Sequence, residues 1–380
     1  MQYTLLDPRD ASPPARAVLQ NWLAFQREFA WRPELAGEFL AGLSDAAALA
    51  ERWRGPAPAG AAERLAEFGG VGVPFPSSAY PASLRELRDP PALLWVHGSP
   101  SALSAPCVAL VGPRAPSVYG RHVARSVADA LARLGVVIVS GLARGIDAEA
   151  HEAALAAGGR TLAFQACGPD RVYPKGHRDL AERIAAQGAV VSELPVGVPP
   201  LKPHFPLRNR LISGISRALV VVEARSRSGS LVTARHAADQ NVEVLAVPGP
   251  IYAATSEGTN RLIRDGATPL LEIDDVLAAA GIEVVRVPPQ ERPDPAGLES
   301  RVRAALEDAP HDRDELAERL GCSPAALASA LLDLEVVGDI ATDPADGRLR
   351  WLGRVRGVGP LAPRRGLSSS SRSRRRQGDS

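Results

Sequence analysis

Two stretches decide the fold: Pro106-Cys107-Val108-Ala109-Leu110-Val111-Gly112-Pro113-Arg114, and further on Val136-Val137-Ile138-Val139-Ser140-Gly141-Leu142-Ala143-Arg144-Gly145-Ile146-Asp147. In each, a short apolar run stops at a glycine and a polar turn opens a helix. Continuous β-branched and aliphatic runs such as Val108–Val111 and Val136–Val139 suit parallel strands buried on both faces. Between them, apolar residues recur at helical spacing over Arg121–Leu134, and Gly135 is a stop signal. Strand, crossover helix and parallel strand make a βαβ unit. Its glycines lie where a strand end meets a helix N-terminus, so free N–H groups and the helix dipole favour an anionic guest.

The alternation continues outward. Helices are predicted over Asp147–Ala157, Arg178–Ala186, Leu207–Ile215, Ser230–Asn241 and Glu257–Asp265. Strands are predicted over Ala92–Val96, Thr161–Ala166, Ala189–Ser192, Leu219–Glu223 and Val244–Val247. The fold class is therefore α/β, a doubly wound parallel sheet of the Rossmann kind. Residues 61–287 are assigned to this domain, with a core at 106–280. Ahead of it, residues 1–60 form a small helical domain: Ala15–Phe29 and Glu34–Leu40 repeat apolar residues at helical spacing, and Ser44 could cap a helix through Trp53. Residues 288–297, dense in proline, are a linker. Three helices and a closing hairpin over 298–352 spell a winged helix, with Ser323-Pro324 as N-cap and N1 of its third helix. The Arg/Ser-rich stretch 353–380 is expected to be disordered.

Composition narrows the function. A hydrophobic fraction of 45% supports a globular body, and no run of 18 apolar residues exists to span a membrane. The N-terminus lacks a secretory pattern, and Cys107, Cys167 and Cys322 are scattered without metal or disulfide spacing, so a soluble cytoplasmic protein is expected. Net charge is +1, yet residues 353–380 hold eight arginines and one aspartate, leaving −6 on residues 1–352. A polyanion partner of the folded body must therefore be held by a local cluster.

The candidate cluster lies at predicted strand C-terminal ends, where open α/β sheets place ligands. Five loops contribute: Gly112 and Arg114; Ser140, Gly141 and Arg144; Lys175 after Tyr173-Pro174; Arg208, Asn209 and Arg210; and Ser228, Gly229, Ser230 and Thr233. Together they would line one sheet edge with amides, hydroxyls and cations, as consecutive phosphates require. Neither the GxGxxG nor the GxxxxGK[ST] pattern is present, and no cofactor or metal is expected. His151 is read as structural and Asp147 as the cap of its helix; Glu193 and Glu223 are read as salt-bridge partners of nearby arginines.

The segment Tyr80–Ala267 resembles the DNA-processing protein A (DprA, also called Smf) family. The resemblance rests on Val111-Gly112-x-Arg114 with Tyr119-Gly120, Ser140-Gly141-x-Ala143-x-Gly145-Ile146-Asp147 with Ala150-His151, and Cys167-Gly168 with Tyr173-Pro174. It continues through Phe205-Pro206-Leu207-Arg208-Asn209-Arg210, Ser228-Gly229-Ser230 with Thr233-Ala234, Pro248-Gly249 and Gly258–Ala267. It implies an N-terminal SAM-like domain, a non-enzymatic single-stranded-DNA-binding Rossmann domain and a homodimer. It also implies a protein that protects incoming DNA in natural transformation and loads RecA onto strands coated by SSB. Arg114 and Lys175 match positions that contact the DNA backbone; Asn260, Leu262, Ile263 and Leu270 fall in the region tied to dimerisation and RecA. Two departures stand out. Pro113 replaces the usual Ser or Thr, removing an amide donor and a hydroxyl, and His177 replaces the usual Asn.

The winged module carries twelve acids against six arginines, and its recognition helix from Pro324 lacks Arg, Lys, Asn and Gln. It is therefore not expected to bind duplex by itself. The alternative from another class is a Rossmann nucleotide hydrolase resembling phosphoribohydrolases, using Glu223 and the Ser228–Thr233 turn; a third reading, a nucleotide-sensing transcriptional regulator, rests on the winged module and is weakened by its acidity.

Overall fold

The computed structural model describes residues 5–283, 297–336, 339–343 and 347–352. The linker (Gly297 excepted) and the basic tail expected from the sequence lie outside the described residues. The chain divides into two compact units, 1–285 and 286–380.

The first unit is built on a nine-stranded sheet. Its strands are β1 (Val71–Pro74), β2 (Leu93–Gly98), β3 (Cys107–Val111), β4 (Val137–Ser140), β5 (Thr161–Phe164), β6 (Ala189–Ser192), β7 (Ala218–Val221), β8 (Glu243–Ala246) and β9 (Thr268–Pro269). They lie in the order β1-β2-β6-β5-β4-β3-β7-β8-β9. From β6 to β9 every pairing is parallel, with Val108 of β3 opposite Ile138 of β4 and Ala218 of β7. The chain steps outward from β3 to β6 and then returns to β7 on the other side of β3. The order thus reverses at β3–β7, the switch point where α/β sheets open a crevice. Strand β2 joins β6 antiparallel and β1 joins β2 antiparallel. The parallel strands are buried on both faces: Val108, Leu110, Ile138 and Val220 pack beneath one helical layer, and Ala109, Val139, Leu162 and Leu219 beneath the other.

The helix Pro13–Phe29 buries Leu19, Trp22 and Phe25, and the Trp22 Nε1–H donates to the Ala46 carbonyl (2.8 Å). Ser44 does not cap: the Asp45 carboxylate accepts from the N–H groups of Ala47 and Ala48, and only the single turn Leu49–Arg52 follows. The helix Ala61–Phe68 packs with these N-terminal helices, and Leu93 and Trp95 of β2 complete the same core. Gln26 ties the layers, accepting from Trp95 Nε1 and donating to the Glu193 carbonyl, both at 2.8 Å.

The second unit contains helices Leu298–Asp308, Arg313–Leu320 and Pro324–Val336 and the antiparallel pair β10 (Ile340–Thr342) and β11 (Leu349–Trp351), the winged-helix arrangement. Its arginines are spent internally: Arg303, Arg313, Arg319, Arg348 and Arg350 pair with carboxylates, and Arg301 binds the Leu320 carbonyl. Among the described residues no helix is long and apolar enough to cross a membrane.

Candidate nucleic-acid interface

Parallel strands place all their C-terminal ends on one edge, so the loops after β3, β4, β5 and β7 share a rim. The β3 loop lies hard against the β4 loop. A Cβ on Gly112 would come within 2.5 Å of Ile146, and one on Gly145 (φ 79°) within 2.3 Å of the Pro113 carbonyl. Ile146 N–H donates to that carbonyl (3.2 Å), so Pro113, which has no N–H of its own, still anchors the turn.

The β4 loop carries Leu142 at a φ of 58°, and His177 braces it: its Nδ1 donates to the Leu142 carbonyl (2.9 Å). Ser140 is buried and donates to the Leu110 carbonyl (2.7 Å), so its hydroxyl is engaged inside the sheet and does not face a ligand. Asp147 stands in the first turn of helix Ile146–Ala156, and Gly145 holds the cap position; its Oδ2 accepts from Ala143 N–H (3.2 Å), bracing the turn before the helix. His151 is structural: its Nδ1 lies 2.6 Å from Thr161 Oγ1, whose own proton goes to the Ile138 carbonyl. The donor at that contact is therefore Nδ1–H.

The Arg208-Asn209-Arg210 run is where the structure departs most from expectation. It lies within the helix His204–Ile215, where successive residues turn about 100° apart, so the three cannot face one rim. Arg210 is buried and paired with Glu193 (2.7 Å) and Asp89 (2.8 Å), so its charge is already taken up inside the protein. Glu193 is thus the arginine partner expected of it. Arg208 is also buried, donates to the Phe164 carbonyl, and packs under the Gly141 turn, where a Cβ would collide with its guanidinium. Burial pulls Arg208 down to about 10, against the Asp147 carboxylate that favours its charge. It stays cationic at neutral pH and lends positive field to the rim from beneath. Asn209 is half-buried, and its carbonyl accepts from Ser213 Oγ (3.4 Å).

What faces solvent is a set of cations and two rings. Arg114 is exposed, with its guanidinium 5.1 Å from the Phe205 ring centroid, and Phe205 meets Tyr173 edge-on at 5.8 Å. Arg144 and Lys175 are exposed. Arg225 and Arg227, in the loop after β7, are two further exposed cations on this edge that motif reasoning passed over. None of these five has an ion-pair partner among the described residues, whereas Arg125, Arg133, Arg183, Arg261 and Arg264 elsewhere in the same unit do. The signal for Arg225 and Arg227 in the sequence was position alone, just past a strand end.

Ser228 caps helix Gly229–Asp239, its Oγ accepting from Ser230 N–H (3.4 Å) and lying 2.7 Å from Ser230 Oγ. Ser230 and Thr233 are buried, while Gly229 is exposed with open space where a Cβ would stand.

The switch-point crevice itself is filled from within. Ser117 N–H donates to Glu223 Oε2 (3.0 Å) and Ser117 Oγ donates to Oε1, closing the N-terminus of helix Val118–Arg133 with an internal carboxylate. A Cβ on Gly120 would meet that carboxylate at 2.5 Å. Glu223 is therefore a helix-terminal acceptor, and no salt bridge to an arginine forms among the described residues.

Of the four residues that the resemblance suggested for dimer contact, Leu270 is buried in the core, and Asn260 clamps Gly249 by donating to its carbonyl (2.9 Å) and accepting from its N–H (3.2 Å). Leu262 is half-buried against the core, and Ile263 is half-exposed. The exposed apolar side chains nearby are Ile251, Tyr252 and Leu271.

Residues 73–281 match the family DNA recombination-mediator protein A, and residues 286–346 match the DprA winged helix domain. The chain is 41% identical over 281 residues to Protein Smf of Escherichia coli (strain K12), spanning 72% of this chain and 75% of that protein. It is 44% identical over 209 residues to the DNA processing protein DprA of Streptococcus pneumoniae, spanning 54% of this chain and 74% of that one. The X-ray structure of the DprA from Streptococcus pneumoniae superposes with a TM-score of 0.57 at 35% identity, covering 69% of this chain and 95% of that chain. With its sheet, its winged helix and these relatives in agreement, the chain belongs to the DprA/Smf family of DNA recombination mediators.

Proposed function

We propose that the chain binds single-stranded DNA along the C-terminal edge of its parallel sheet and acts there as a carrier, without catalysis. The observation that carries this reading is the set of exposed, unpaired cations Arg114, Arg144, Lys175, Arg225 and Arg227 ranged over one edge beside Phe205 and Tyr173. Cations at successive loop ends suit a chain of phosphates, and the rings suit unstacked bases. Binding is sequence-tolerant and salt-sensitive. The bound strand is sheltered and handed to RecA, on DNA that SSB also coats, during natural transformation; the working form is a homodimer in the cytoplasm. The winged module, its arginines already paired, contacts protein and not duplex.

The hydrolase alternative loses its main residue, because Glu223 is engaged by Ser117 and sits where a nucleotide phosphate would have to enter. The test is fluorescence anisotropy of labelled oligo-dT and of a matched duplex across a salt series, with a nucleotide panel assayed for free base in parallel. Preference for the single strand, lost in Arg114→Ala, supports the reading; equal affinity for both forms, or release of base, overturns it.

A further inference from the structure

The N-terminal helices end beside the rim. Trp31, just past helix Pro13–Phe29, lays its indole on the His204 ring, with centroids 4.8 Å apart and planes 24° from parallel. His204 is buried and directly precedes Phe205, the ring that carries Arg114. Two ring pairs, Tyr173–Phe205 and Trp31–His204, are therefore held side by side by consecutive residues at the head of helix His204–Ile215. One indole face is covered, yet Trp31 remains 49% exposed, whereas Trp22 and Trp95 are 0% and 1% exposed. Packing on His204 covers one face, and about half of the Trp31 surface is left open to solvent. Arg32 follows Trp31 in the chain and Lys202 stands two residues before His204; both are exposed and without an ion-pair partner among the described residues.

Resting on the reading above, we propose that the bound strand continues from the Arg114–Phe205 rim across His204 onto the N-terminal helices. There Trp31 stacks one base, and Arg32 and Lys202 meet the flanking phosphates. Stacking on an indole tolerates any base, as a carrier of arbitrary sequence requires. The N-terminal helices thereby lengthen the site instead of serving only as a cover for β2.

The experiment uses the full chain with oligo-dT of about six and about fifteen nucleotides, within the span of single-strand sites of this type. Trp31 is the most exposed indole among the described residues, so its emission reports directly. Expected results are quenching by the longer oligonucleotide, loss of that quenching in Trp31→Phe with affinity largely kept, and about tenfold weaker binding of the longer oligonucleotide in Trp31→Ala. The shorter oligonucleotide, held at the rim, should bind all three alike. If Arg114→Ala weakens both oligonucleotides while Trp31 is neither quenched nor needed, the extension is wrong and the rim reading survives. If neither oligonucleotide binds the unaltered chain, both fall together.

Discussion

Replacing Arg114 by alanine removes one exposed cation and nothing from the core, because the guanidinium lies on the Phe205 ring, which keeps its contact with Tyr173. The size of the effect follows from two independent quantities. A charge-assisted hydrogen bond to phosphate contributes on the order of 1.5–3 kcal/mol, so affinity for oligo-dT should fall at least about tenfold. Each phosphate neutralised on a single strand adds about −0.7 to the slope of log K against log salt. Five rim cations acting together would give a slope near −3.5, and Arg114→Ala should bring it to about −2.8. Anisotropy titrations at four or five salt concentrations measure both quantities at once, and thermal unfolding checks that the variant is folded. An unchanged slope with unchanged affinity would remove Arg114 from the interface. A tenfold loss with an unchanged slope would mean that Arg114 acts by holding Phe205 and not by meeting a phosphate.

Other consequences are equally open to measurement. Arg210→Met leaves Glu193 buried without its cation and should cost about 3–5 kcal/mol in urea unfolding, whereas Arg210→Met combined with Glu193→Leu should recover most of it; folded protein of either variant should bind oligo-dT normally. Burial, reinforced by His177 and Arg208, pushes His151 down to about 3, while the unfolded chain takes up that proton near 6.5. Its contribution is therefore complete above about pH 6.5 and is lost on acidification, by up to about 1.4 kcal/mol per pH unit, and unfolding of His151→Asn at pH 7 and pH 5 should show a flatter dependence than the parent. Removing the winged module and tail by ending the chain at residue 285 should leave the single-strand preference intact in the same anisotropy assay. A loss of that preference would place part of the site beyond the sheet.

Much of the sheet could be read from the sequence because its strands are buried on both faces, and such strands announce themselves as unbroken apolar runs, as Val108–Val111 and Val136–Val139 do. Strand β1, only Val71–Pro74, and β9, only Thr268–Pro269, were too short to register. The antiparallel sense of β2 depends on pairing across the sheet, which local pattern does not carry. The rim was legible as a place and less so as a roster. Arg208 and Arg210 looked like rim cations although the helix expected over Leu207–Ile215 already contained them; which way each faces depends on packing against the sheet, and both are turned inward. Ser140 and Ser230 looked like phosphate donors because a hydroxyl beside glycine suits either purpose, and only burial tells which holds. Arg225 and Arg227 went unseen because no motif contains them.

The carboxylate of Glu223 at the head of helix Val118–Arg133 has a wider meaning for how the molecule meets its cellular surroundings. Free nucleotides are abundant, and an open helix head at the strand-order reversal would collect them. Here the vacancy is already let to a tenant of the same charge, supplied by the chain itself. On the reading proposed above, a single phosphate would find no berth there, and a polymer spanning several outlying loops at once would gather the grip. Discrimination between a long strand and its monomers would then rest on avidity, before any base is inspected.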